Sequence, residues 1–390
     1  MSGTNEAHPL VETQGSQRRR CFRILSLDGG GIRGAFTAAF LEGLETRLGR
    51  PIATSFDLIA GTSTGGIIAV ALAMGLSAGD VVRMYQEHGN AIFTRRRRSR
   101  MRWAMDFLPN AFLRKAGLDR DALWRSKYDA AALAHAVDTV LEGKTLEKAQ
   151  HRLIVPSVRT SLGRPIVFRT PHVPNQDRDR HLSARDVILA TTAAPTYFPP
   201  HWISDPHAEG QFVDGGLWAN HPGMLAYVEA IRISQVCRRP EDVPFTPDDI
   251  LVLSIGTGES PSAFRLPESK AGVLSWAPHL LELMMTSQSQ GTHRMLRYLL
   301  PDGRYHRINF AHCGAGWELD AVGNLGILIA NGRSESRNMI GQIPAQFLDG
   351  VAPPYVSFPP PASPAGLPSA GVLNRPATAA DPASEAGYES

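Results

Sequence analysis

A chain of 390 residues with 43% hydrophobic and 20% charged side chains can bury a sizeable core, which excludes a wholly disordered or fibrous protein. A formal net charge of +3 is too small to mark a nucleic-acid binder, so only local charge carries meaning. Cys21, Cys237 and Cys313 are too few and too far apart for a disulfide framework, and with no apolar signal core and no membrane-length apolar run the expectation is a cytoplasmic protein.

Residues 1–20 are polar, end in Arg18, Arg19 and Arg20, and read as a disordered basic tail. Cys21 to Leu27 reads as a strand, and Ala35 to Leu48 as a helix with an apolar stripe of Phe36, Ala39, Phe40, Leu44 and Leu48. Between them, Gly29, Gly31 and Gly34 satisfy G-x-G-x-x-G. Bare amides at a helix start bind anions, which admits a non-catalytic nucleotide-binding module at Gly29 to Gly34. No clear strand-ending acidic residue follows about twenty positions on to hold a ribose. The same amides can hold the oxyanion of an acyl-transfer intermediate, with Arg33 adding positive charge. A tight strand–helix turn is the third reading.

Phe56 to Ala60 is a short apolar run, and Gly66 to Met74 is apolar nearly all round and stops at Gly75. They read as a buried strand and a buried helix. Gly61-Thr-Ser-Thr-Gly65 joins them, so strand, G-x-S-x-G and helix occur in the order of a nucleophile elbow centred on Ser63. Gly61 and Gly65 lack the Cβ atoms that would clash in so sharp a turn. Two strand–turn–helix units in succession predict a parallel sheet covered by helices.

Ser77 with Asp80 opens a capped helix to about His88. The following stretch holds Arg95, Arg96, Arg97, Arg98, Arg100 and Arg102 beside Trp103, Phe107 and Phe112. That mixture suits an anionic membrane interface, or a solvated loop packed on the core. Asp129 to Glu142 reads as an amphipathic helix, Arg152 to Val158 and Pro165 to Arg169 as strands, and Ser183 with Asp186 as the start of a helix stopped by Pro195. Ala193 to Pro200 is a proline-limited loop in which Tyr197 is read as packing. Gln211 to Asp214 is a short strand delivering Asp214 to its end, followed by Gly215, Gly216 and a helix opened by Asn220 and Pro222. Ile250 to Ile255 is a strand. Leu274 to Leu300 is a helix with Gly291 as its weak point, and residues 351–390 form a Pro/Ala/Ser-rich disordered tail.

A serine on an elbow needs a base. Thirteen histidines keep a Ser-His-Asp esterase or thioesterase acting on soluble esters open as an alternative, although His201, His207 and His221 sit in no recognisable catalytic setting. Asp28-Gly-Gly-Gly-Ile-Arg-Gly34, Gly61-Thr-Ser-Thr-Gly65 and Asp214-Gly-Gly216, in this order and separation, resemble the three motifs of patatin-like phospholipases. The similarity extends through Thr191 to Pro199 and Gly215 to Asn220.

The resemblance implies a three-layer α/β/α fold over residues 21–345, with a mainly parallel central sheet and a serine nucleophile elbow; the Arg/aromatic composition of residues 94–127, where the resemblance is weakest, is what reads as a lid or interface insertion. It implies Ser63 as nucleophile and Asp214 as general base. Gly29, Gly30 and Gly31 would supply the oxyanion hole, aided by Arg33. No cofactor or metal is implied; the substrates are membrane phospholipids, met peripherally at the inner membrane. Phe36 to Leu41, Phe56 to Ala60 and Tyr85 to Gly89 with Ile92 and Phe93 further resemble bacterial patatin-like effectors of antiphage defence. That narrower resemblance implies a cyclic dinucleotide activator such as cyclic GMP-AMP, which the arginines near position 95 could read as readily as lipid phosphate.

Overall fold

The computed structural model describes residues 20–94, 126–174, 176, 178–236, 244–258, 273–310 and 319–358. Strands β1 (Phe22–Leu27), β2 (Leu58–Gly61) and β3 (Arg152–Arg159) are joined by β4 (Arg164–Arg169), β5 (His201–Ile203), β6 (Gly210–Asp214), β7 (Ile250–Ile255) and β8 (Tyr305–Ile308). Their order is β5-β6-β3-β2-β1-β7-β8, with β4 paired to β3. The run β3-β2-β1-β7-β8 is parallel, while β4, β5 and β6 pair antiparallel, so the sheet is mixed at one side.

Side-chain alternation makes this sheet the middle layer. Leu25 and Leu27 of β1, Ile59 of β2 and Leu251, Leu253 and Ile255 of β7 enter one core. Phe22, Ile24, Leu58, Ala60, Ile250 and Val252 enter the other. The first core is covered by α1 (Gly34–Leu48), α2 (Thr64–Ala73), α3 (Ala78–Ile92), α4 (Ala130–Leu141), α5 (Ala184–Thr192) and α9 (Leu325–Met339). The second is covered by α7 (Gly223–Val236) and the C-terminal part of α8 (Val273–Leu299), through Ala226, Ala230, Ile233 and Leu296. Two short helices, α6 (Gly216–Ala219) and α10 (Ala345–Leu348), complete the α-helices of the described residues.

The Ser77–Asp80 capping box is present, and α3 continues past His88 to Ile92. It does so because Ile92 still finds the apolar core. The helix read as opening at Asn220 begins instead at Gly223, and the four residues after Gly215 form α6. Residues 351–358, read as the start of the tail, are pinned along the body. Ala352 N–H donates to Thr54 O at 2.7 Å, Phe358 N–H donates to Pro171 O at 2.8 Å, and Arg180 donates to Phe358 O at 2.6 Å. Residues 1–19, 359–390 and 95–125, the last holding the arginine cluster and nearly all of the expected insertion, lie outside the described residues. Among the described residues no helix is long and apolar enough to cross a membrane.

Candidate active site

The elbow forms where β2 must turn at once into α2. Ser63 sits at φ 53°, ψ −123°, a conformation costly for a residue with a Cβ, roughly 1–3 kcal/mol, and typical of a nucleophile elbow. Its neighbours explain how the turn closes. A Cβ on Gly61 would stand 2.1 Å from the Gly65 carbonyl oxygen, and one on Gly65 would stand 2.3 Å from Leu27 O and 2.6 Å from Asp28 O. Backbone occupies the space, so only glycine fits. The Ser63 N–H donates to Thr191 Oγ1 at 3.0 Å, and that hydroxyl donates to Pro156 O at 2.7 Å. Helix α5 thereby braces the strained residue from the side.

Asp214 arrives from 151 residues away. Strand β4 pairs with β3 from Ile154 to Arg159, so β2 and β6 share the opposite edge of β3. Parallel β2 pairs up to Ile154 and antiparallel β6 ends opposite Ser157, so their C-terminal ends face each other across Pro156. Asp214, the last residue of β6, and Ser63, two residues past the end of β2, are thereby brought together. Ser63 Oγ donates to Asp214 Oδ2 at 2.6 Å, and Gly216 N–H donates to Asp214 Oδ1 at 2.6 Å. Burial pushes the Asp214 carboxyl up to about 7, outweighing the opposing effect of these two hydrogen bonds.

The glycine-rich loop lies beside this pair, but its amides are not equivalent. Gly29 N–H donates to Asn220 O at 3.1 Å, Ile32 N–H to Leu319 O at 2.8 Å and Arg33 N–H to Gly30 O at 3.2 Å. The N–H groups of Gly30 and Gly31 have no acceptor among the described residues. Of the three glycines expected to form an anion-binding turn, Gly29 therefore anchors the loop while Gly30 and Gly31 keep donors to offer. Gly31 is left-handed at φ 59°, and a Cβ there would meet Leu319 O at 2.1 Å. Arg33 is buried and its Nε donates to Gly30 O at 3.3 Å, so its charge supports the loop from behind. Asp28, at the end of β1, receives both guanidinium nitrogens of Arg307 at 3.0 and 2.6 Å, which fixes the loop's root.

Two cavities flank the loop. One of about 560 Å³ holds Ser63, Asp214 and Gly31 against Ile67, Ile92, Phe93, Leu133, Phe198 and Met285, and is almost wholly apolar. Tyr197, read as packing, lines it, with the Lys127 ammonium over its ring at 5.3 Å. Tyr85 also lines it; its hydroxyl is hydrogen-bonded to Thr64 Oγ1, and burial pushes its pKa up to about 12. The other cavity, about 330 Å³, is polar and includes Asp28, Gly29, Arg33, Asn220, Ser289 and Arg307. Met285 touches both.

No described histidine lines the cavity that holds Ser63. His201 pairs with Asp186 at 2.9 Å, His207 is exposed, and His221 is buried between Ser254 Oγ at 2.9 Å and the Gly223 N–H at 3.0 Å. Burial holds His221 well below its usual pKa, as does nearby Arg307. Among the described residues no group of three or more His, Cys, Asp or Glu could hold a metal. Thr191, Asn220 and Met285 join the site without having been assigned to it from the sequence. A threonine inside a helix, an asparagine two residues before a proline and a methionine in a long helix carry no local signal of such roles.

A family model described as patatin-like phospholipase matches residues 25–227. A cGAMP-activated phospholipase of Pseudomonas aeruginosa is 35% identical over 281 residues, covering 72% of this chain and 75% of that protein. A cGAMP-activated phospholipase of Vibrio cholerae is 38% identical over 258 residues, covering 64% of this chain and 68% of that protein. Patatin-like protein 1 of Arabidopsis thaliana is 28% identical over 320 residues, covering 73% of each chain.

Proposed function

The chain belongs to the patatin-like phospholipase family and is a lipid acyl hydrolase, and from that premise we propose that it cleaves fatty-acyl esters of membrane phospholipids through a Ser63–Asp214 dyad. The observation that carries this reading is the 2.6 Å hydrogen bond from a strained serine to a buried carboxylate whose pKa lies at about 7. Such a carboxylate is basic enough to take the serine proton near neutral pH and acidic enough to return it.

In the acylation step Ser63 Oγ attacks the ester carbonyl while Asp214 Oδ2 takes its proton. The oxyanion forms against the Gly30 and Gly31 N–H groups, beside the N-terminus of α2, with Arg33 adding positive potential. Collapse breaks the ester C–O bond, and Asp214 hands its proton to the departing lysophospholipid oxygen. The fatty acyl chain remains on Ser63, its tail in the apolar cavity. Water then releases it by the reverse proton path.

Activation by a cyclic dinucleotide such as cyclic GMP-AMP is the regulatory part of the proposal. It rests on the names of the bacterial relatives. A cytoplasmic enzyme that meets the inner membrane peripherally, in antiphage defence, follows from the same reading. The test is fatty-acid release from phosphatidylethanolamine/phosphatidylglycerol vesicles in EDTA, with and without a panel of cyclic dinucleotides. Wild type should release fatty acid with one nucleotide, and Ser63→Ala and Asp214→Asn should not. Silence of folded wild type under every condition would overturn the proposal. Equal release with and without every nucleotide would remove only its regulatory part.

A further inference from the structure

Asn220 is 5% exposed and tied at four points, one of them its backbone N–H, which donates to Gln288 Oε1 at 3.4 Å. Its backbone carbonyl takes the Gly29 N–H at 3.1 Å, and its Nδ2 donates to Ser289 Oγ at 3.0 Å and to Gly29 O at 3.5 Å. Those two acceptors fix which end of the amide is nitrogen. The other end, Oδ1, is buried and has no hydrogen-bond partner among the described residues. A buried acceptor left unmatched is destabilising, so its position asks for a donor.

The neighbourhood of Oδ1 indicates which donor. A Cβ placed on Gly29 would stand 2.4 Å from Asn220 Oδ1 and 3.2 Å from Ser63 Cβ. One placed on Gly216 would stand 3.2 Å from Asn220 Oδ1 and 3.0 Å from Asp214 Oδ1. Three groups therefore converge around two side-chain-free positions: the Asn220 oxygen, the Asp214 carboxylate and the Ser63 side chain. Asn220 also lines the polar cavity, whereas Ser63 and Asp214 line the apolar one, and Met285 stands between. An acyl chain belongs on the apolar side. Water belongs on the polar side.

We propose that the polar cavity supplies the hydrolytic water and that Asn220 Oδ1 accepts one of its hydrogens, orienting it toward the acyl-enzyme. This rests on the Ser63 acyl-enzyme mechanism. A water has two hydrogens, and hydrogen bonds of about 2.8 Å to two acceptors fix its lone pair toward the carbonyl carbon. Asp214 Oδ2 receives the first hydrogen as a proton when the water oxygen bonds to the acyl carbon. Asn220 Oδ1 holds the second. The tetrahedral intermediate collapses by breaking the bond to Ser63 Oγ, which takes the proton back from Asp214, and the fatty acid leaves. Acylation needs no such water, so Asn220 Oδ1 acts on deacylation alone.

The test is pre-steady-state hydrolysis of p-nitrophenyl esters by wild type, Asn220→Ala and Asn220→Asp, with mass spectrometry of quenched samples to measure Ser63 acylation. In Asn220→Ala the ratio of deacylation to acylation rate should fall at least tenfold, giving a burst of p-nitrophenol and acyl-enzyme that persists. Asn220→Asp keeps an acceptor oxygen and should restore that ratio to within threefold of wild type. Hydroxylamine, a nucleophile stronger than water, should shorten the life of the Asn220→Ala acyl-enzyme. If Ala lowers both steps equally, or acylation more, Asn220 only positions Gly29 and the proposal is overturned. Should the Ala variant fail to fold, Asn220→Leu keeps the bulk without the acceptor and is read the same way. Wild type that never acylates Ser63, with or without each cyclic dinucleotide of the panel, would instead refute the mechanism on which the proposal rests.

Discussion

Thr191 Oγ1 accepts the Ser63 N–H at 3.0 Å and passes its own hydrogen to the Pro156 carbonyl at 2.7 Å. One buried hydroxyl thus links the strained serine to the strand along whose edge β2 and β6 meet. Thr191→Val keeps the shape and removes both bonds, leaving a buried N–H unsatisfied at a cost of about 1–3 kcal/mol. The expected outcome is a roughly ten- to hundredfold fall in kcat with little change in KM, because the loss misplaces the nucleophile and not the acyl chain. Steady-state kinetics on a p-nitrophenyl ester checks it; an unchanged kcat would show that the elbow holds itself.

Asp214 couples activity and stability in opposite directions. Its pKa is raised to about 7 by burial. kcat/KM should therefore rise with pH through about 7 and level off as the carboxylate ionises. For stability, the folded pKa lies above the ordinary carboxyl value of 3.8. The protonated group's contribution is fully present below the unfolded pKa and is lost as pH rises through about 7. Asp214→Asn is spared that loss, so it should melt higher than wild type at pH 8, with the advantage fading toward pH 4. A shift of this size is worth at most about 4 kcal/mol. Melting curves of both proteins at the two pH values decide it.

Glycines at two positions should respond oppositely. Gly65→Ala places a Cβ 2.3 Å from Leu27 O, and that oxygen belongs to the sheet and cannot yield. It should cost several kcal/mol, in the range of severe core defects, and abolish activity. Gly291→Ala in α8 meets nothing within 4 Å, so it should stabilise by roughly 0.5–1 kcal/mol through helix propensity. Urea unfolding of the two variants measures both.

The apolar cavity predicts a chain-length effect. Leu133 from α4 and Ile92 from α3 line it together with Phe198. Leu133→Trp should fill part of it and lower kcat/KM at least tenfold for a palmitoyl ester, the ratio that about 1.4 kcal/mol of lost fit gives, while sparing a butyryl ester. Equal losses for both chains would place the acyl group elsewhere.

Much of this site was legible in the sequence because it is local. The elbow needs Gly61, Ser63 and Gly65 within five consecutive residues, and the anion turn needs Gly29 to Gly34, so covalent spacing alone displays them. The meeting of Ser63 with Asp214 was not visible in spacing. It depends on β6 running antiparallel along an edge of β3 that it shares with β2, and the resemblance supplied the pairing. The unequal glycine amides were equally hidden, because Gly29 is occupied by a carbonyl 191 residues away in sequence. Strand β8 went unread since it is four residues long and mostly half-buried. Helix α9 went unread because Asn331, Arg333, Ser334, Glu335 and Ser336 dilute its apolar face, although it covers α1 through Gly332 and Ser336. The tail was set too early, as Pro353 and Pro354 suggest disorder while their neighbours pair with Thr54 and Pro171.

The most direct measurement of the central claim, that Asp214 is the base of Ser63, is the pH dependence of Ser63 phosphonylation by a fluorophosphonate, followed by mass spectrometry. The account predicts that the wild-type labelling rate rises through a single titration near pH 7. It also predicts that folded Asp214→Asn labels at least a hundredfold more slowly, the order expected for loss of a general base, with no titration in that range. Labelling of Asp214→Asn at the wild-type rate, or with the same titration, would contradict it.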